Sequence, residues 1–266
     1  TSMFLYGTNT REPADNWRPQ VHDSDGLLIH NGTGEWLWHP LRDPRGLRTD
    51  YFACRDPKGF GLLQRGTRFS GYQSLSARYD KRPSVWVKPN GKWGTGHVVL
   101  LEIPSASNNN DNIDAFWTPS SEPRRGTRLT FSYTLRFGGP GVAGERLGHV
   151  AWTRFGATDG GNTAGNARHT YHIVVEFSGG SLAGLSRNAD VLANVTPEDG
   201  TTVQAQYVQY VAPLHQWRLN IIATPGGTRR GLRLRAYLHD GERALTETWT
   251  YQLPNNNDIL LAGGDS

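Results

Sequence analysis

The sequence predicts an all-β chain whose second half is an immunoglobulin-like sandwich, and two observations lead to that prediction. The 266 residues include 32 Gly and 15 Pro, which suits short strands joined by tight turns. Apolar and polar residues alternate with a period of two over several segments, whereas no long segment follows the helical period. The aromatic content of 11%, with nine Trp, exceeds the needs of a core, so we expect some rings to line a surface.

The second half contains the clearest strands. Leu129, Phe131, Tyr133, Leu135 and Phe137 alternate with polar residues, which predicts a half-buried strand. Further strands are predicted at 172–177, 203–211, 217–223, 232–238 and 245–253, separated by turn sequences such as Asp199-Gly200 and Asp240-Gly241. Six or seven strands without helical periods predict an immunoglobulin-like domain over residues 127–254. This half contains no recognisable catalytic residues.

A Pro- and Ser-rich stretch predicts an interdomain linker at residues 119–126, and residues 255–266 are predicted to form a loose tail. Residues 1–118 therefore form the first predicted domain. Its short strands are predicted at 34–38, 51–54, 62–64, 84–87 and 97–103, with one or two helical turns around 73–79. Long polar loops separate these strands, and loops on a rigid sheet commonly carry functional sites.

Charge and cysteine content exclude several classes of function. The net charge is +4 and the basic residues are scattered, which excludes an extended nucleic-acid surface. Cys54 is the single cysteine, so neither an intrachain disulfide nor a cysteine metal cluster can form. No apolar run is long enough to cross a bilayer. The opening residues, Thr1 to Phe4, resemble the middle of a strand, and we expect a mature, processed or truncated chain.

The densest cluster of polar residues lies at 18–26, where Arg18, His22, Asp23 and Asp25 precede an apolar strand. An Asp-x-Asp-Gly sequence occurs in calcium loops and in ordinary turns. A calcium loop would require further oxygen ligands and a closing Glu within residues 27–34, which are instead mainly apolar. The spacing of the nearby histidines does not match a zinc site either.

A second polar cluster occupies residues 108–114, where Asn side chains surround Asp111. From composition alone, a polar surface turn is the favoured interpretation. The alternative is a sugar-recognition loop, because amides both donate hydrogen bonds to hydroxyl groups and accept them. Two carboxylates on separate loops with Trp nearby are also what a glycoside hydrolase requires: one protonates the leaving oxygen, and the other activates water or attacks. Spacing in the sequence does not decide whether the two carboxylates meet.

Several motifs together resemble the periplasmic glucan biosynthesis proteins G and D of Gram-negative bacteria. The resemblance is strong from Thr1 to about Pro119 and, in the second domain, is found mainly at the last strand. The matching segments are residues 18–27 (RPQVHDSDGL), 34–41 (GEWLWHPL), 59–65 (GFGLLQR), 78–87 (RYDKRPSVWV), 91–96 (GKWGTG), 110–113 (NDNI) and 245–254 (LTETWTYQLP).

The resemblance implies that residues 1–118 are part of a large β-sandwich domain with a long cleft. It also implies a periplasmic location and a β-1,2-glucan ligand. No metal or organic cofactor is implied. Members of the family look like inverting endo-β-1,2-glucanases or relatives that transfer the glucan chain. The resemblance places the catalytic acid on Asp111 and the base on Asp23, and its motif positions imply sugar contacts by Arg18, His22, Asp25, Tyr79, Arg82 and Trp117.

Two departures from the family pattern leave two hypotheses open. Asn108 stands where the family has an acidic residue, and a missing negative charge would make Asp111 a weaker proton reservoir. The family's cleft domain also begins far upstream of Thr1, so we expect that the upstream half is another polypeptide, a cleaved partner, or not included in this sequence. The first hypothesis is an enzyme that hydrolyses or transfers β-1,2-glucan. The second is a non-catalytic scaffold that binds glucan.

Overall fold

The structure is a computed structural model that describes residues 1–7, 16–158, 170–226 and 231–253. The chain divides into two compact units, Thr1–Glu145 and Arg146–Ser266. Strands are the main regular structure in both units, with only four short 3-10 helices among the described residues. The prediction of an all-β chain is therefore confirmed. None of the described helices is long and apolar enough to span a membrane.

The first unit contains ten strands among its described residues. Five of them are adjacent in the order β10-β7-β6-β3-β4, three form a sheet in the order β5-β8-β9, and β1 pairs with β2. All these pairings are antiparallel. The strands are β1 (Phe4–Tyr6), β2 (Val21–His22), β3 (Gly26–His30), β4 (Trp36–Pro40), β5 (Arg48–Arg55), β6 (Gly59–Leu63), β7 (Ser84–Pro89), β8 (Thr95–Glu102), β9 (Ile113–Pro119) and β10 (Tyr133–Gly138).

The main core of the first unit lies between the β3-β4-β6 strands and the β5-β8-β9 sheet. It brings together Leu27 and Ile29 of β3, Phe60 of β6, Leu100 of β8 and Ile113 of β9, each at most 3% exposed. A smaller cluster includes Met3 and Tyr6 near the chain start, together with Tyr72 and Tyr79. Val21 of β2 belongs to the smaller cluster and Leu100 of β8 belongs to the main core, so the loops after both strands start from buried residues.

The helical turn predicted around residues 73–79 does not form there. Two 3-10 helices instead lie on either side, at Phe69–Gly71 and Tyr79–Lys81. Gln73 and Arg78 both have left-handed backbone conformations, with φ of 54° and 47°. A right-handed helix cannot continue through such residues, so the segment is a series of turns.

β10 forms over the second part of the predicted strand at 129–137, and the apolar side chains of that predicted strand are not buried. Leu129, Phe131, Tyr133, Leu135 and Phe137 are 39–66% exposed. The strand occupies the end of its sheet and pairs only with β7. The compact units divide after Glu145, so the predicted linker at residues 119–126 and the strand β10 both lie within the first unit.

The second unit contains seven strands among its described residues. They are β11 (His149–Ala157), β12 (Tyr171–Ser178), β13 (Leu192–Glu198), β14 (Thr202–Val211), β15 (Gln216–Thr224), β16 (Leu232–His239) and β17 (Thr248–Leu253). Four form a sheet in the order β11-β12-β15-β14, and the other three are adjacent in the order β17-β16-β13. This division of seven antiparallel strands is typical of an immunoglobulin-like sandwich.

The two layers of the second unit are joined through a buried tryptophan. Trp249 of β17 is fully buried, and its indole N–H donates to the Thr153 hydroxyl of β11 at 2.9 Å. A buried indole N–H needs such a partner. The predicted tail at residues 255–266 lies outside the described residues.

Candidate functional site

Asp23 directly follows β2 and is attached to the segment at the start of the chain. Its backbone N–H donates to the carbonyl of Met3 at 2.8 Å. The next residue, Ser24, is buried and accepts a hydrogen bond from the Ser2 hydroxyl at 2.9 Å. Asp23 therefore lies along one edge of Ser2–Phe4, which we call the N-terminal segment.

Asp111 is attached to the opposite edge of the N-terminal segment. Ser2 and Ile113 exchange two backbone hydrogen bonds, at 2.8 and 3.0 Å. The buried side chain of Asn112 accepts from the Phe4 N–H and donates to the Phe4 carbonyl, both at 2.9 Å. Because Asp111 immediately precedes Asn112, these bonds also position the catalytic-acid candidate.

The N-terminal segment thus lies between the two backbones that carry the candidate carboxylates. Adjacent strands are about 4.8 Å apart, so the backbones on its two sides lie roughly 10 Å apart. Successive residues of an extended chain direct their backbone groups to opposite edges, which explains why Met3 contacts Asp23 while Ser2 contacts Ile113. Two sites that are 88 positions apart in sequence, since 111 − 23 = 88, are brought together in this way.

Burial and the neighbouring charges act in opposing directions on the pKa of the Asp23 carboxyl. Burial raises its pKa, the Arg82 guanidinium lowers it, the negative charge of Asp111 raises it and His22 lowers it. Nε of Arg82 lies 3.3 Å from Oδ1 of Asp23, and it also donates to the Ala77 carbonyl at 3.2 Å. The structure therefore brings Asp23, Asp111 and Arg82 into one electrostatic neighbourhood.

His22 lies beneath Asp23 and has no exposed surface. Its Nδ1 is 3.1 Å from Oε1 of Gln64, its Nε2 is 3.2 Å from Oε1 of Gln20, and its ring stacks on Phe4 with centroids 5.3 Å apart. Burial lowers the pKa of His22, which favours the neutral ring. The buried ring contacts Gln64, Gln20 and Phe4 in the structure, and its predicted sugar contact remains a prediction.

Gln64 joins His22 to the aromatic residues below the site. Its side-chain amide donates to the Tyr72 hydroxyl at 2.8 Å and to the Tyr79 carbonyl at 3.1 Å. Its backbone N–H donates to the buried Ser84 hydroxyl at 2.9 Å. A buried amide with these hydrogen bonds fixes the positions of His22, Tyr72 and Tyr79 relative to one another.

Asp25 uses its carboxylate to hold the chain after β6. Oδ2 accepts from the backbone N–H of Arg65 and from that of Gly66, the latter at 2.8 Å. Oδ1 lies 3.5 Å from Nε2 of His22. With both oxygens in contact with protein groups, Asp25 is placed primarily to shape the loop, and its predicted sugar contact remains a prediction.

Tyr79 connects the loop that carries Asp111 to the 3-10 helix Tyr79–Lys81, which directly precedes Arg82. The Asn108 amide donates to the Tyr79 hydroxyl at 2.9 Å, and the Arg82 guanidinium lies 6.0 Å from the ring centroid. Only 2% of Tyr79 is exposed, so its ring faces are not available for stacking on a sugar. A carboxylate at position 108 could not donate this hydrogen bond. The Asn108 side chain therefore makes a neutral connection between the Asp111 loop and Tyr79.

Arg18 is partly buried and is joined to Tyr6 of β1. Its backbone N–H and its Nε both donate to Oδ1 of Asn16 at 3.1 Å, and its carbonyl accepts from the Tyr6 hydroxyl at 2.9 Å. The neighbouring Trp17 is 70% exposed, with the Arg18 guanidinium 6.0 Å from its ring. An exposed indole beside a guanidinium is suited to stacking on the C–H face of a sugar.

Trp117 is not close to the two carboxylates. It lies four residues along β9 from Ile113, a distance of about 13 Å at the usual rise per residue. Its ring packs at the edge of the main core, with its centroid 5.9 Å from that of Trp93. Its predicted role as a sugar contact would require a cleft that extends along β9.

The sequence motifs missed three residues that shape the site: Asn112, Gln64 and Trp17. Asn112 and Gln64 occur within the matching segments, but their importance depends on partners that are distant in sequence. For Trp17, the high aromatic content of the sequence already indicated that some aromatic rings line a surface. Among the described residues, no group of three or more His, Cys, Asp or Glu side chains is arranged to hold a metal ion.

Comparison with known proteins agrees with the motifs in the site. The family model described as periplasmic glucan biosynthesis protein, MdoG, matches residues 1–253. The chain belongs to the MdoG family. This assignment confirms the predicted resemblance and the predicted periplasmic location.

Three curated relatives of the MdoG family show the extent of the similarity. The proteins named Glucans biosynthesis protein G from Dickeya dadantii, Pectobacterium atrosepticum and Pectobacterium carotovorum are each 42% identical to the chain over 260 residues. The alignments cover 96% of this chain and 50% of each relative. The chain thus spans about half the length of the curated relatives that it matches.

Proposed function

We propose that this MdoG-family chain carries the acid–base pair of an enzyme that cleaves or transfers β-1,2-glucan in the periplasm. Asp111 is the general acid and Asp23 is the general base. The observation that carries the proposal is the attachment of both loops to opposite edges of the N-terminal segment. An inverting pair requires carboxyl groups about 6.5–9.5 Å apart, and the segment between the two backbones leaves room for such a separation.

In the proposed reaction, protonated Asp111 donates its proton to the glycosidic oxygen as the bond to the anomeric carbon breaks. Asp23 accepts a proton from a water molecule that attacks the same carbon from the opposite face. One proton leaves Asp111 and one reaches Asp23, and a β-linkage yields an α-anomeric product. In a transferase, a sugar hydroxyl would take the place of water.

The charges around Asp23 support its role as the base. Arg82 lies 3.3 Å from Oδ1 and lowers the Asp23 pKa, which opposes the effect of burial. A base must be deprotonated when substrate binds. Arg82 is therefore proposed to keep Asp23 ionised in a partly buried position, while the exposed Trp17 provides a surface for a neighbouring sugar.

The second candidate function is a scaffold that binds glucan without changing it. Asn108 favours this alternative, because its neutral amide replaces an acidic side chain beside Asp111 in the family pattern. The intact Asp23 and Asp111, with hydrogen-bonded supports around both, favour the enzyme.

Incubation with linear β-1,2-glucan separates these functions. The assay follows reducing ends chemically and product anomers by NMR, and it uses the full-length protein where one exists. New α-anomeric reducing ends would support an inverting glucanase. Rearranged glucan without new reducing ends would support transfer, whereas binding with unaltered glucan would support the scaffold.

Replacement of Arg82 provides a test of the proposed base. Because Arg82 lowers the Asp23 pKa, Arg82→Gln should raise it further. Activity that needs ionised Asp23 appears only as the pH rises through this pKa, so the acidic limb of the kcat/KM profile should move to higher pH.

Arg78→Gln is the matched control for Arg82→Gln. The two arginine side chains are each 46% exposed, but Arg78 pairs with Asp80 at 3.0 Å rather than with Asp23. The control should leave the acidic limb in place. Identical profiles for both variants would remove the case for Asp23 as the titrating base, and NMR titration of the Asp23 carboxyl would test the pKa directly.

A further inference from the structure

Three consecutive residues after β4 connect the loop of Asp23 to the loop of Asp111. The Leu41 N–H donates to the Asp25 carbonyl at 3.0 Å, and the Arg42 N–H donates to Oε1 of Glu102 at 2.9 Å. Asp43 completes the connection through Oδ1, which accepts from the Ser105 N–H at 2.9 Å. We call Leu41–Asp43 the connecting segment.

The connecting segment is fixed at its centre by buried charge. Glu102 has no exposed surface, and its Oε2 lies 3.5 Å from Nε of Arg42 and 3.7 Å from Nε of Arg48. Arg48 is also bound by Asp50, with Nε to Oδ2 at 2.6 Å and Nη2 to Oδ1 at 3.0 Å. Removal of one partner from such a buried cluster is costly, so the base of the Asp111 loop is rigid.

The loop beyond Glu102 has a second anchor at Ser105. The hydroxyl of Ser105 donates to the Ser107 carbonyl at 2.7 Å and accepts from the Asn110 amide at 3.2 Å. Asn110 immediately precedes Asp111. A continuous path therefore runs from the Asp43 carboxylate through Ser105 and Asn110 to the proposed acid.

We propose that Asp43 is a positioning residue that holds the Asp111 loop in register with Asp23. This inference rests on the proposed function, because register between acid and base matters only if both act on one glucan. Asp43 does not touch the reacting atoms in this assignment. It acts through the Ser105 N–H, while Leu41 keeps the same segment attached to the loop of Asp23.

The environment of Asp43 supports this role. Burial raises the Asp43 pKa to about 6, and the hydrogen bond from Ser105 opposes that shift. A partly buried carboxylate is costly to maintain. The hydrogen bond from the Ser105 N–H to Oδ1 offsets part of this cost.

The test compares Asp43→Ala, which removes the acceptor, with Asp43→Asn, which retains Oδ1. Asp43→Ala should lower kcat on linear β-1,2-glucan about 10- to 100-fold with KM within about threefold, since a small misplacement of a catalytic group affects mainly the chemical step. Asp43→Asn should stay within about threefold of the parent in both constants, because the Ser105 N–H keeps its acceptor.

Asp240→Ala in the second unit is the matched control. Asp240 also fixes a turn through its carboxylate, which accepts from the Arg243 N–H at 3.0 Å. The control should leave kcat and KM within about twofold of the parent. Equal losses in Asp43→Ala and Asp240→Ala, or no loss in Asp43→Ala, would overturn the positioning role.

Amide hydrogen exchange tests the same inference without activity. Asp43→Ala should speed exchange at Ser105 and across residues 103–112 about tenfold, while Asp240→Ala should leave these amides unchanged. If Asp43→Ala does not fold, Ser105→Ala serves instead, because it keeps the backbone N–H that donates to Asp43 and removes the hydroxyl links to Ser107 and Asn110. Inactive parent protein with faster exchange in Asp43→Ala would refute the proposed enzyme yet retain the positioning contact. Unchanged exchange in a folded variant would refute the contact itself.

Discussion

Asp111→Asn is expected to lower the turnover of β-1,2-glucan by about 10³-fold, within the usual contribution of a general acid. The amide has nearly the same shape as the carboxyl but cannot transfer a proton to the leaving oxygen. Glucan binding should stay within about threefold of the parent, because the loop is held by Asn112 and its neighbours rather than by Asp111. Steady-state kinetics and calorimetric titration with linear β-1,2-glucan measure the two quantities.

Asp114→Asn is the matched control for the acid. Asp114 is a partly exposed carboxylate on β9, three positions after Asp111, and pairs across the sheet with Leu101. Its substitution should leave turnover within about twofold of the parent. Retained turnover in Asp111→Asn would rule out Asp111 as the acid, and loss of binding in that variant would indicate a recognition role instead.

Asn112→Ala is expected to reduce both stability and activity. Its side chain is 2% exposed and makes three hydrogen bonds, to the Phe4 N–H, the Phe4 carbonyl and the Ile103 carbonyl. Each buried group left unpaired costs about 1–3 kcal/mol, so the free energy of unfolding should fall by about 3 kcal/mol or more. Turnover should fall by about 10²-fold, because the N-terminal segment and Asp111 lose their shared anchor.

Asn220→Ala in the second unit separates stability from function. Asn220 is 3% exposed and bonds to His172 at 3.0 Å and Gln209 at 3.1 Å, so its loss should also destabilise the chain. Turnover at a temperature where this variant is folded should match the parent. Denaturant unfolding and kinetics on both variants make the comparison. Unchanged turnover in folded Asn112→Ala would limit Asn112 to a structural role.

The fold could be predicted where one face of a strand is buried and the other is not. β16 is the clearest case, since buried and partly exposed residues alternate along all of Leu232–His239. β9, β11 and β13 were not predicted. β13 contains Pro197 and lies at the end of its row of strands, a position where Pro is tolerated and burial no longer follows the sequence pattern.

The candidate site could be predicted as a set of motifs but not as an arrangement. The motif around Asp23 predicted sugar contacts for its polar residues. His22 and Tyr79 are nevertheless buried, because Phe4 of the N-terminal segment packs on His22 and Asn108 of the Asp111 loop contacts Tyr79. Trp117 follows Asp111 closely in sequence, but strand β9 carries it away from the carboxylates. These outcomes depend on which strands become neighbours, and a single sequence contains little information on such pairings.

The position of the N-terminal segment has a consequence for how reaction stereochemistry is encoded. A retaining glycosidase needs its carboxyl groups about 5–5.5 Å apart, close to one strand spacing, whereas an inverting enzyme needs nearly two. In the proposed enzyme, one extended segment between the backbones of Asp23 and Asp111 sets the spacing from which the two carboxylates would reach the glucan. The spacing of the two backbones is set by hydrogen bonds of the main chain at Ser2 and Met3, so it should persist when side chains in the site are substituted.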